Sequence, residues 1–473
     1  MTFQELLNLT FPTILLLIVF FCVGIISFFK IKEVKHFYFG TIDMGILSFA
    51  CNIFGSNFSF ITAIFVLLFW SYNFGWDVLW TVGTAIVGMI IFSLPKITPL
   101  SEEFLKGGST LHEYISGQSE SFRSVRVVSA SVTVLTMTGF VAAQVYIFAG
   151  FLSMFINIQP LYISLVIFVF LIGYTLLGGF DSVVRTDVLQ SILIGSGCVA
   201  LFIIVHNLAT TVDLKITKLS FNTLPPFYLP MLIVINGLWQ FSAMDMWQRS
   251  RASKNIKVVR TGSALGSMFF LIAAIFIIIL GWYMRASHIQ VGTQLVSDPF
   301  KLISTIIVPQ SFLSTVLFAL FVSAFLSTAD SMLIAASLAL MVDIYKVNTG
   351  KSITLKGCRL SILGLGVVCF IFNLLIFKFF PGELVVSFLL TFFSCQIVLL
   401  PSIGVRSFMS FIKFKHYPML LSILCGLISS LLMGILTIKN PNIQNFIPVA
   451  SLFISGVVLF STLPSFLIKE NNE

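Results

Sequence analysis

Ser323-Ala-Phe-Leu-Ser-Thr-Ala-Asp-Ser331 lies inside an apolar run over residues 311–342. A bilayer's hydrocarbon core is about 30 Å thick and needs about 20 apolar residues to cross, so this run spans it and sets Ser327, Thr328, Asp330 and Ser331 at membrane depth. On a helix Ser327, Asp330 and Ser331 share a face at i, i+3 and i+4, and Thr328 lies about 100° round from Ser327. Hydroxyl, carboxylate and carbonyl oxygens are the donors a hard monovalent cation prefers. Serine and threonine alone are equally explained by bonding back to their own helix. The aspartate favours the ion reading, because a carboxylate buried without a partner is expensive.

Outward from this run, the rest of the chain is of the same kind. Its 473 residues are 58% hydrophobic and only 10% charged, and mean hydropathy is +1.05. A soluble domain carries about 25% charge, and no water-soluble fold could hide so much apolar surface. The pattern predicts about thirteen membrane-spanning helices, centred on 11–29, 43–70, 76–95, 126–156, 160–178, 182–207, 226–247, 261–284, 311–342, 360–380, 383–404, 417–438 and 445–467. The first run follows Glu5 with no basic stretch before it and no small-residue cleavage site after it, and reads as a retained helix. The seven cysteines form no metal-binding spacing and read as small apolar packing residues.

A net charge of +9 suggests nucleic acid until its placement is examined. Alternate loops, taken in turn, hold 21 and 6 of the 27 lysines and arginines. Basic loops stay on the cytoplasmic side, so this asymmetry puts the N-terminus outside and the C-terminus in the cytoplasm of a bacterial-type inner (plasma) membrane. The charges then orient the chain among membrane lipids, and no nucleic-acid partner is expected. No obligate protein partner is inferred. No phosphate-binding loop of an ATPase is present, nor a nucleophile elbow or metalloprotease motif. An enzyme is not expected.

Three more runs place polar groups in apolar helices, where each is costly and a functional candidate. Ala50-Cys-Asn-Ile-Phe-Gly-Ser-Asn-Phe-Ser59 is a weak helix former that can unwind and offer carbonyls at membrane depth; a small-residue packing seam is the alternative. In Gly173-Tyr-Thr-Leu-Leu-Gly-Gly-Phe-Asp-Ser-Val-Val-Arg-Thr-Asp-Val-Leu-Gln190 the glycine pair breaks one helix and Asp181 is placed to cap the next. Asp187 then falls about two turns inside, with Arg185 available as a bland partner near the surface. Gly237-Leu-Trp-Gln-Phe-Ser-Ala-Met-Asp-Met-Trp-Gln-Arg249 offers an aromatic platform and hydrogen-bonding groups at Trp239, Gln240, Ser242 and Asp245. Gln248 and Arg249 are expected at the inner surface as anchors.

These runs resemble the sodium:solute symporter family, which includes proline, sugar, pantothenate and sialic acid carriers. GYTLLGGFDSVVRTDVLQ is similar to the family's strongest signature and SAFLSTADS to its sodium-site helix. MWQRSRASKN resembles the run after its seventh span, and LHEYISGQSESFRSVRVVSA its EYL-x-x-RF linker. The four occur in family order, within roughly residues 40–410. The resemblance implies an all-α, leucine-transporter-type fold of two inverted five-helix repeats with broken helices. Its divisions here are an extra helix in 1–40, repeats in 41–207 and 226–405, and two further helices in 406–473. It implies Na+ as coupling ion, held by the carbonyls of Ala50, Ile53 and Ala324 and the hydroxyls of Ser327 and Thr328. A second Na+, or a proton, falls to Asp187 with Asp330 and Ser331; aspartate at 330 departs from members with serine there. Solute contacts are expected from Asn52, Asn57, Gln144, Trp239, Gln240 and Gln396.

The implied activity is sodium-coupled import of a small-molecule solute by alternating access. The apolar run of span four carries no arginine, unlike sialic acid carriers, and MDMWQR lacks a glutamine found in sugar carriers, which leaves a small polar or zwitterionic solute. Proton-coupled or facilitative transport on the same fold is the first rival. A membrane solute sensor is the second; its signalling domain would follow the last span, where only Lys469–Glu473 are present.

Overall fold

The computed structural model describes residues 3–94, 110–117, 120–156, 158–209, 224–286, 312–380, 382, 384–409 and 415–466. Lys96, Lys106, Lys215, Lys218, Lys301, Lys413 and Lys469, used above to orient the chain, lie outside them.

The described residues are helical almost throughout. In chain order the α-helices are α1 (Phe3–Lys30), α2 (Val34–Phe39), α3 (Ile46–Asn57), α4 (Phe69–Phe74), α5 (Leu79–Phe92), α6 (Leu111–Ser116), α7 (Arg123–Ser153), α8 (Pro160–Ala209), α9 (Tyr228–Leu232), α10 (Trp239–Ser242), α11 (Met244–Arg251), α12 (Ile256–Ala286), α13 (Phe312–Leu338), α14 (Lys346–Thr349), α15 (Leu355–Phe379), α16 (Leu384–Ile397), α17 (Leu400–Phe408), α18 (Tyr417–Lys439) and α19 (Ile447–Thr462). Wider π turns occupy Thr62–Leu68, Ile233–Gly237 and Ala339–Tyr345. Among the described residues nine continuous helical stretches are long and apolar enough to cross a membrane, and 14–30 is a shorter apolar one. The stretch Pro160–Ile203 counts 44 residues. At 1.5 Å per residue that is about twice a bilayer core, so it holds two crossings. The break is Gly179 at φ 48, ψ −150, conformational space that favours glycine. A side chain there would also meet the Phe37 carbonyl oxygen at 2.6 Å. Divided at the breaks, the helices follow the thirteen predicted segments.

Polarity is inverted relative to a soluble protein. Large apolar side chains stand on the outer faces, Phe29 at 74%, Val166 at 69% and Phe453 at 69% exposure, a coat that suits hydrocarbon and would aggregate in water. The interior is densely aromatic but also holds Asn52, Gln144, Asp187, Gln190, Arg249, Asp330 and Gln396 fully or almost fully buried. α13 is at the centre, packed on α8, α7, α1, α15 and α3. All seven cysteines are free, and five are buried, as the packing reading expected.

Two sequence expectations change here. Asp181 does not act as a helix cap: its carboxylate accepts from Ser27 Oγ (2.8 Å), Arg185 Nε (2.9 Å) and Thr41 N (3.0 Å). It therefore ties α1 and the approach to α3 onto α8, and it takes the arginine that sequence spacing offered to Asp187. Gln248 and Arg249 are not surface anchors. They are 1% and 0% exposed, because the backbone turns at Ala243 (φ −73, ψ 111) and sends α11 back into the protein.

Candidate functional site

Three helices are interrupted in the interior. α3 ends at Phe58 (φ −94, ψ 64), whose N–H still reaches the Phe54 carbonyl. Ser59 then restarts the chain, its Oγ accepting from Thr62 N at 3.0 Å. α10 ends at Ala243, and α8 kinks at Gly179. Interrupted helices leave carbonyls and N–H groups unused by the ladder, which membrane interiors tolerate only where protein or a cavity receives them.

The end of α3 is pressed against the polar stretch of α13. Gly55 has no side chain where a Cβ would lie 2.4 Å from Ser327 Oγ and 3.6 Å from Asp187 Oδ1. That glycine brings α3, α13 and α8 to one point. Ser327 Oγ donates to Asp187 Oδ1 at 2.5 Å. Thr328 Oγ1 lies 3.4 Å from the Ser56 carbonyl and 3.3 Å from that of Ala324. The Ile53 carbonyl accepts from Ser56 Oγ at 3.2 Å and Asn57 Nδ2 at 2.9 Å. The Ala50 carbonyl faces Gly266 of α12, where a Cβ would sit 2.9 Å from it.

Behind this cluster stands Arg249, 0% exposed. Its Nη1 donates to Asp245 Oδ2 at 2.5 Å, its Nη2 to Ser331 Oγ at 2.7 Å, and Nη2 is 3.8 Å from Asp187 Oδ2. The guanidinium is a tethered cation between two buried carboxylates. Ser331 Oγ also lies 2.8 Å from the Ser327 carbonyl. Asp330 points elsewhere. It is about 60° round the helix from Ser327, on the side of Ser323 and Ser337. Ser331 Oγ, 3.3 Å from Oδ1, is its hydrogen-bond partner, and Oδ2 has none. Of the residues expected at a second ion, Asp187 is bonded to Ser327 and near Arg249, Ser331 takes Arg249, and Asp330 meets Ser331 alone.

Of the remaining polar residues, Asn57, Trp239, Gln240 and Gln396 lie at the α3 and α10 breaks. Gln240 Nε2 donates to Asn57 Oδ1 at 2.8 Å. Trp239 sets its ring against Phe393, centroids 4.6 Å apart. Gln396 Nε2 donates to Thr133 Oγ1 at 2.9 Å and to the Ser242 carbonyl at 2.5 Å. Gln144 is fully buried with neither amide atom partnered. One turn to either side of it, Phe140 packs on Phe393, and Phe148 packs on Phe60 and stacks on Phe325 at 4.4 Å. The amide therefore lies on the α7 face toward the α3 break and Trp239. Asn52 turns instead to α8, donating to the carbonyls of Ser48 (2.9 Å) and Val184 (3.3 Å).

A family model for the sodium:solute symporter family matches residues 37–380. The chain belongs to the sodium:solute symporter family. Among solved structures it resembles a substrate-bound, outward-open Na+-coupled sialic acid symporter, with TM-score 0.75, 17% identity and 98% of each chain covered. It also resembles Mhp1, a nucleobase-cation-symport-1 family transporter, with TM-score 0.52, 16% identity and coverage of 92% of this chain and 96% of that one. A manganese transporter of Eremococcus coleocola aligns at TM-score 0.55 and 12% identity, covering 91% and 98%. No curated protein matches the chain. The protein is a multi-pass membrane transporter with the broken-helix fold of the leucine-transporter type, not an enzyme.

Sequence reasoning had singled out the residues around the α3 break, but gave Arg249 the wrong place. Its one sequence signal is the i, i+4 spacing from Asp245. Gln190 was not singled out either, although it is one turn from Asp187, fully buried, and unpartnered at both amide atoms.

Proposed function

We propose that this transporter imports a small polar or zwitterionic solute coupled to inward sodium flow. It does so by alternating access between two inverted repeats, residues 41–207 and 226–405. Sodium is held by the carbonyls of Ala50, Ile53 and Ala324 and the hydroxyls of Ser327 and Thr328. The observation that carries this reading is the seating of Ser327 and Thr328 on the broken end of α3, where Gly55 puts no side chain between the helices. Two hydroxyls of α13 meet the Ser56 carbonyl at the end of α3 and the Asp187 carboxylate there. A cation bound among them fixes α3 against α13 and so completes the neighbouring solute site of Asn57, Gln240, Trp239, Gln144, Asn52 and Gln396. Coupling follows when sodium and solute each favour the other's binding. One charge crossing 100 mV supplies about 2.3 kcal/mol, before any sodium gradient. The membrane is a bacterial-type inner membrane, with the N-terminus outside, the C-terminus in the cytoplasm and the apolar coat against lipid.

The test needs no solute. An ion that binds only the native state raises its stability by mass action. Thermal unfolding of the purified protein is followed in sodium, potassium and choline at matched ionic strength, for wild type, Ser327→Ala and Thr328→Ala. A sodium-specific rise that both variants lose is the expected result. Equal melting in all three salts refutes sodium binding at this site.

One observation favours a second reading. Asp330 is fully buried with Oδ2 unpartnered, the arrangement of a carboxyl that exchanges a proton. Proton-coupled transport would show as uptake indifferent to sodium and steep in pH. A second sodium on Asp187, Asp330 and Ser331 has to share the Asp187 and Ser331 oxygens with Arg249.

A further inference from the structure

Away from the interrupted helices, one cation near the lipid-facing surface has no anion. Arg359, in the second turn of α15, makes no hydrogen bond or ion pair with any described residue, and its Nε is buried without a partner. Other arginines are provided for. Arg126, Arg185 and Arg249 pair with carboxylates, and Arg123 and Arg406 donate to backbone carbonyls. The Arg359 guanidinium instead lies over the Phe28 ring of α1, with Cζ 4.2 Å from the centroid. A cation on a ring face recovers only part of what it loses by leaving water. A guanidinium cannot escape that loss by giving up its proton.

Three helices build the surroundings. α1 and α15 both pack on the first half of α8 but scarcely on each other. On one flank Phe21 meets Phe170, ring centroids 6.5 Å apart, and Gly24 lies against the Tyr174 carbonyl. On the other flank Phe370 meets Phe168 at 5.7 Å, and Gly366 makes room for Ile172. Along this half of α8, α1 therefore runs parallel and α15 antiparallel. Between the flanks α8 turns an apolar face outward, with Val166 and Val169 exposed, and Leu363 and Val367 are exposed on α15 beside it. α8 kinks at Gly179, and past its outer half α1 and α15 come together at Phe28 and Arg359. The charge there is one-sided. Lys356, three residues before Arg359 and on the same side of its helix, is exposed, as are Lys30 and Lys32 just beyond Phe28. Glu33, the acid of this stretch, is exposed and makes no ion pair with a described residue. The lysines are explained by membrane orientation alone. Arg359 is not, because a charge that only orients the chain sits in water.

We propose that Arg359 is the centre of a binding site for an anionic phospholipid, whose phosphate lies between Arg359 and Lys356 and whose acyl chains lie along the outward face of α8. The planar fork of a guanidinium matches two phosphate oxygens. At the ends of two helices coated with apolar side chains, the anion that reaches a partly desolvated arginine is a lipid phosphate, and basic pockets between spanning helices bind such headgroups. The neighbouring lysines favour a lipid of net negative charge over a zwitterionic one, whose ammonium they repel. The same molecule satisfies both halves of the site, the charge at Arg359 and the exposed valines and leucine beside it. Bound there, it fastens α1 to α15, two helices that otherwise scarcely touch. The site is independent of the coupling ion, the solute and the direction of transport.

The test uses the full chain, purified and stripped of lipid in a neutral detergent. Melting is followed with phosphatidylglycerol, with phosphatidylcholine of the same chains, or with inorganic phosphate, at matched ionic strength. A ligand of the native state raises the melting temperature by mass action. Phosphatidylglycerol is expected to raise it by about 2 °C or more, and the other two to leave it unchanged. Arg359→Gln is expected to abolish the rise and Lys356→Gln to reduce it. Arg260→Gln, at an exposed position on α12, is expected to keep it. Arg359→Gln removes a cation that no described residue pairs, so folding should survive; if it does not, the exposed Lys356 decides through its own variant. An equal rise with phosphatidylcholine, or a rise that persists in Arg359→Gln, overturns the site. An equal rise with inorganic phosphate overturns the lipid as its occupant. An equal loss in Arg260→Gln overturns it as well, because that reports diffuse attraction to a basic surface.

Discussion

Gly55→Ala tests the closeness of α3 and α13 directly. The added Cβ would meet Ser327 Oγ at 2.4 Å, while the next neighbours, Ser327 Cβ at 3.5 Å and Asp187 Oδ1 at 3.6 Å, are ordinary contacts. Two outcomes are open to the hydroxyl. If it stays, the helices must part, and overpacking of this kind costs about 1–3 kcal/mol. If it swings away, its bond to Asp187 Oδ1 is lost, and a hydrogen bond to a charged group contributes about 1.5–3 kcal/mol. Against either stands about 0.5–1 kcal/mol gained by replacing glycine inside a helix. The net expectation is a loss of about 1–2 kcal/mol from these terms, seen as a clearly lower melting temperature in detergent. The decisive comparison is made in a Ser327→Ala background. There the clashing atom is gone, the nearest remaining contact is 3.5 Å, and the same Gly55→Ala change becomes neutral or stabilising by up to about 0.5–1 kcal/mol. The sign of the effect reverses with one oxygen atom. Melting curves of the four proteins form a double-mutant cycle. Equal effects of Gly55→Ala in both backgrounds would refute the contact, and with it the convergence on which the sodium site rests.

Other perturbations separate packing from charge. Gly88→Ala drives a Cβ to 2.3 Å from the Gly237 carbonyl oxygen, which is backbone and cannot swing aside, so the folded yield should collapse; Gly83→Ala, five residues earlier with nothing within 4 Å, should leave it unchanged. Arg249→Gln strips Asp187 and Asp245 of their shared cation and is expected to destabilise by about 3–5 kcal/mol. Adding Asp245→Asn should recover part of that loss in a melting assay, and no recovery would argue against the ion pair. Asp330→Asn, by contrast, removes a carboxylate that has no counter-charge in hydrogen-bond reach, and should change stability by less than about 1 kcal/mol. A loss as large as that of Arg249→Gln would show that Asp330 has a cation partner.

What was legible in the sequence divides along physical lines. Crossing helices announce themselves through bilayer thickness, and so do their breaks, because Gly178-Gly179 and the Asn52 to Ser59 patch are poor helix formers set in good apolar runs. The polar cluster was visible because carboxylates and amides at membrane depth are rare enough to notice. Partners were not visible. Arg185 sits two residues from Asp187 in sequence, yet it pairs with Asp181 at 2.9 Å, one helical turn back. Asp187 instead meets Arg249, sixty-two positions away, at 3.8 Å. The face shared by Ser327, Asp330 and Ser331 on an ideal helix also proved too coarse. Asp330 stands about 60° from Ser327 and meets Ser331 Oγ at 3.3 Å, while Ser327 meets Asp187. The pairing of His112 with Asp343, 2.8 Å apart, gave no signal, since His112 lies in the polar linker between two predicted spans and Asp343 at the end of another, where polar residues are ordinary.

Arg249 connects these observations. A guanidinium stays charged wherever it is placed, so its burial requires nearby negative charge in every conformation the protein adopts. Asp245, four residues before it on α11, travels with it. Asp187 and Ser331 belong to α8 and α13 and do not. When the helices rock, Arg249 keeps Asp245 but must loosen its contacts with the other two, and Asp187 is then left with Ser327 Oγ and an oxygen that has no donor. At the proposed sodium site, a cation at the Ser327–Thr328 cluster would restore charge at that moment. If that proposed site is the coupling site, movement of α11 would be unfavourable without the cation and easier with it, which is the condition for coupling rather than leak. On this argument Arg249 is part of the coupling, through the one contact, 3.8 Å to Asp187, that is long enough to be exchanged for an ion.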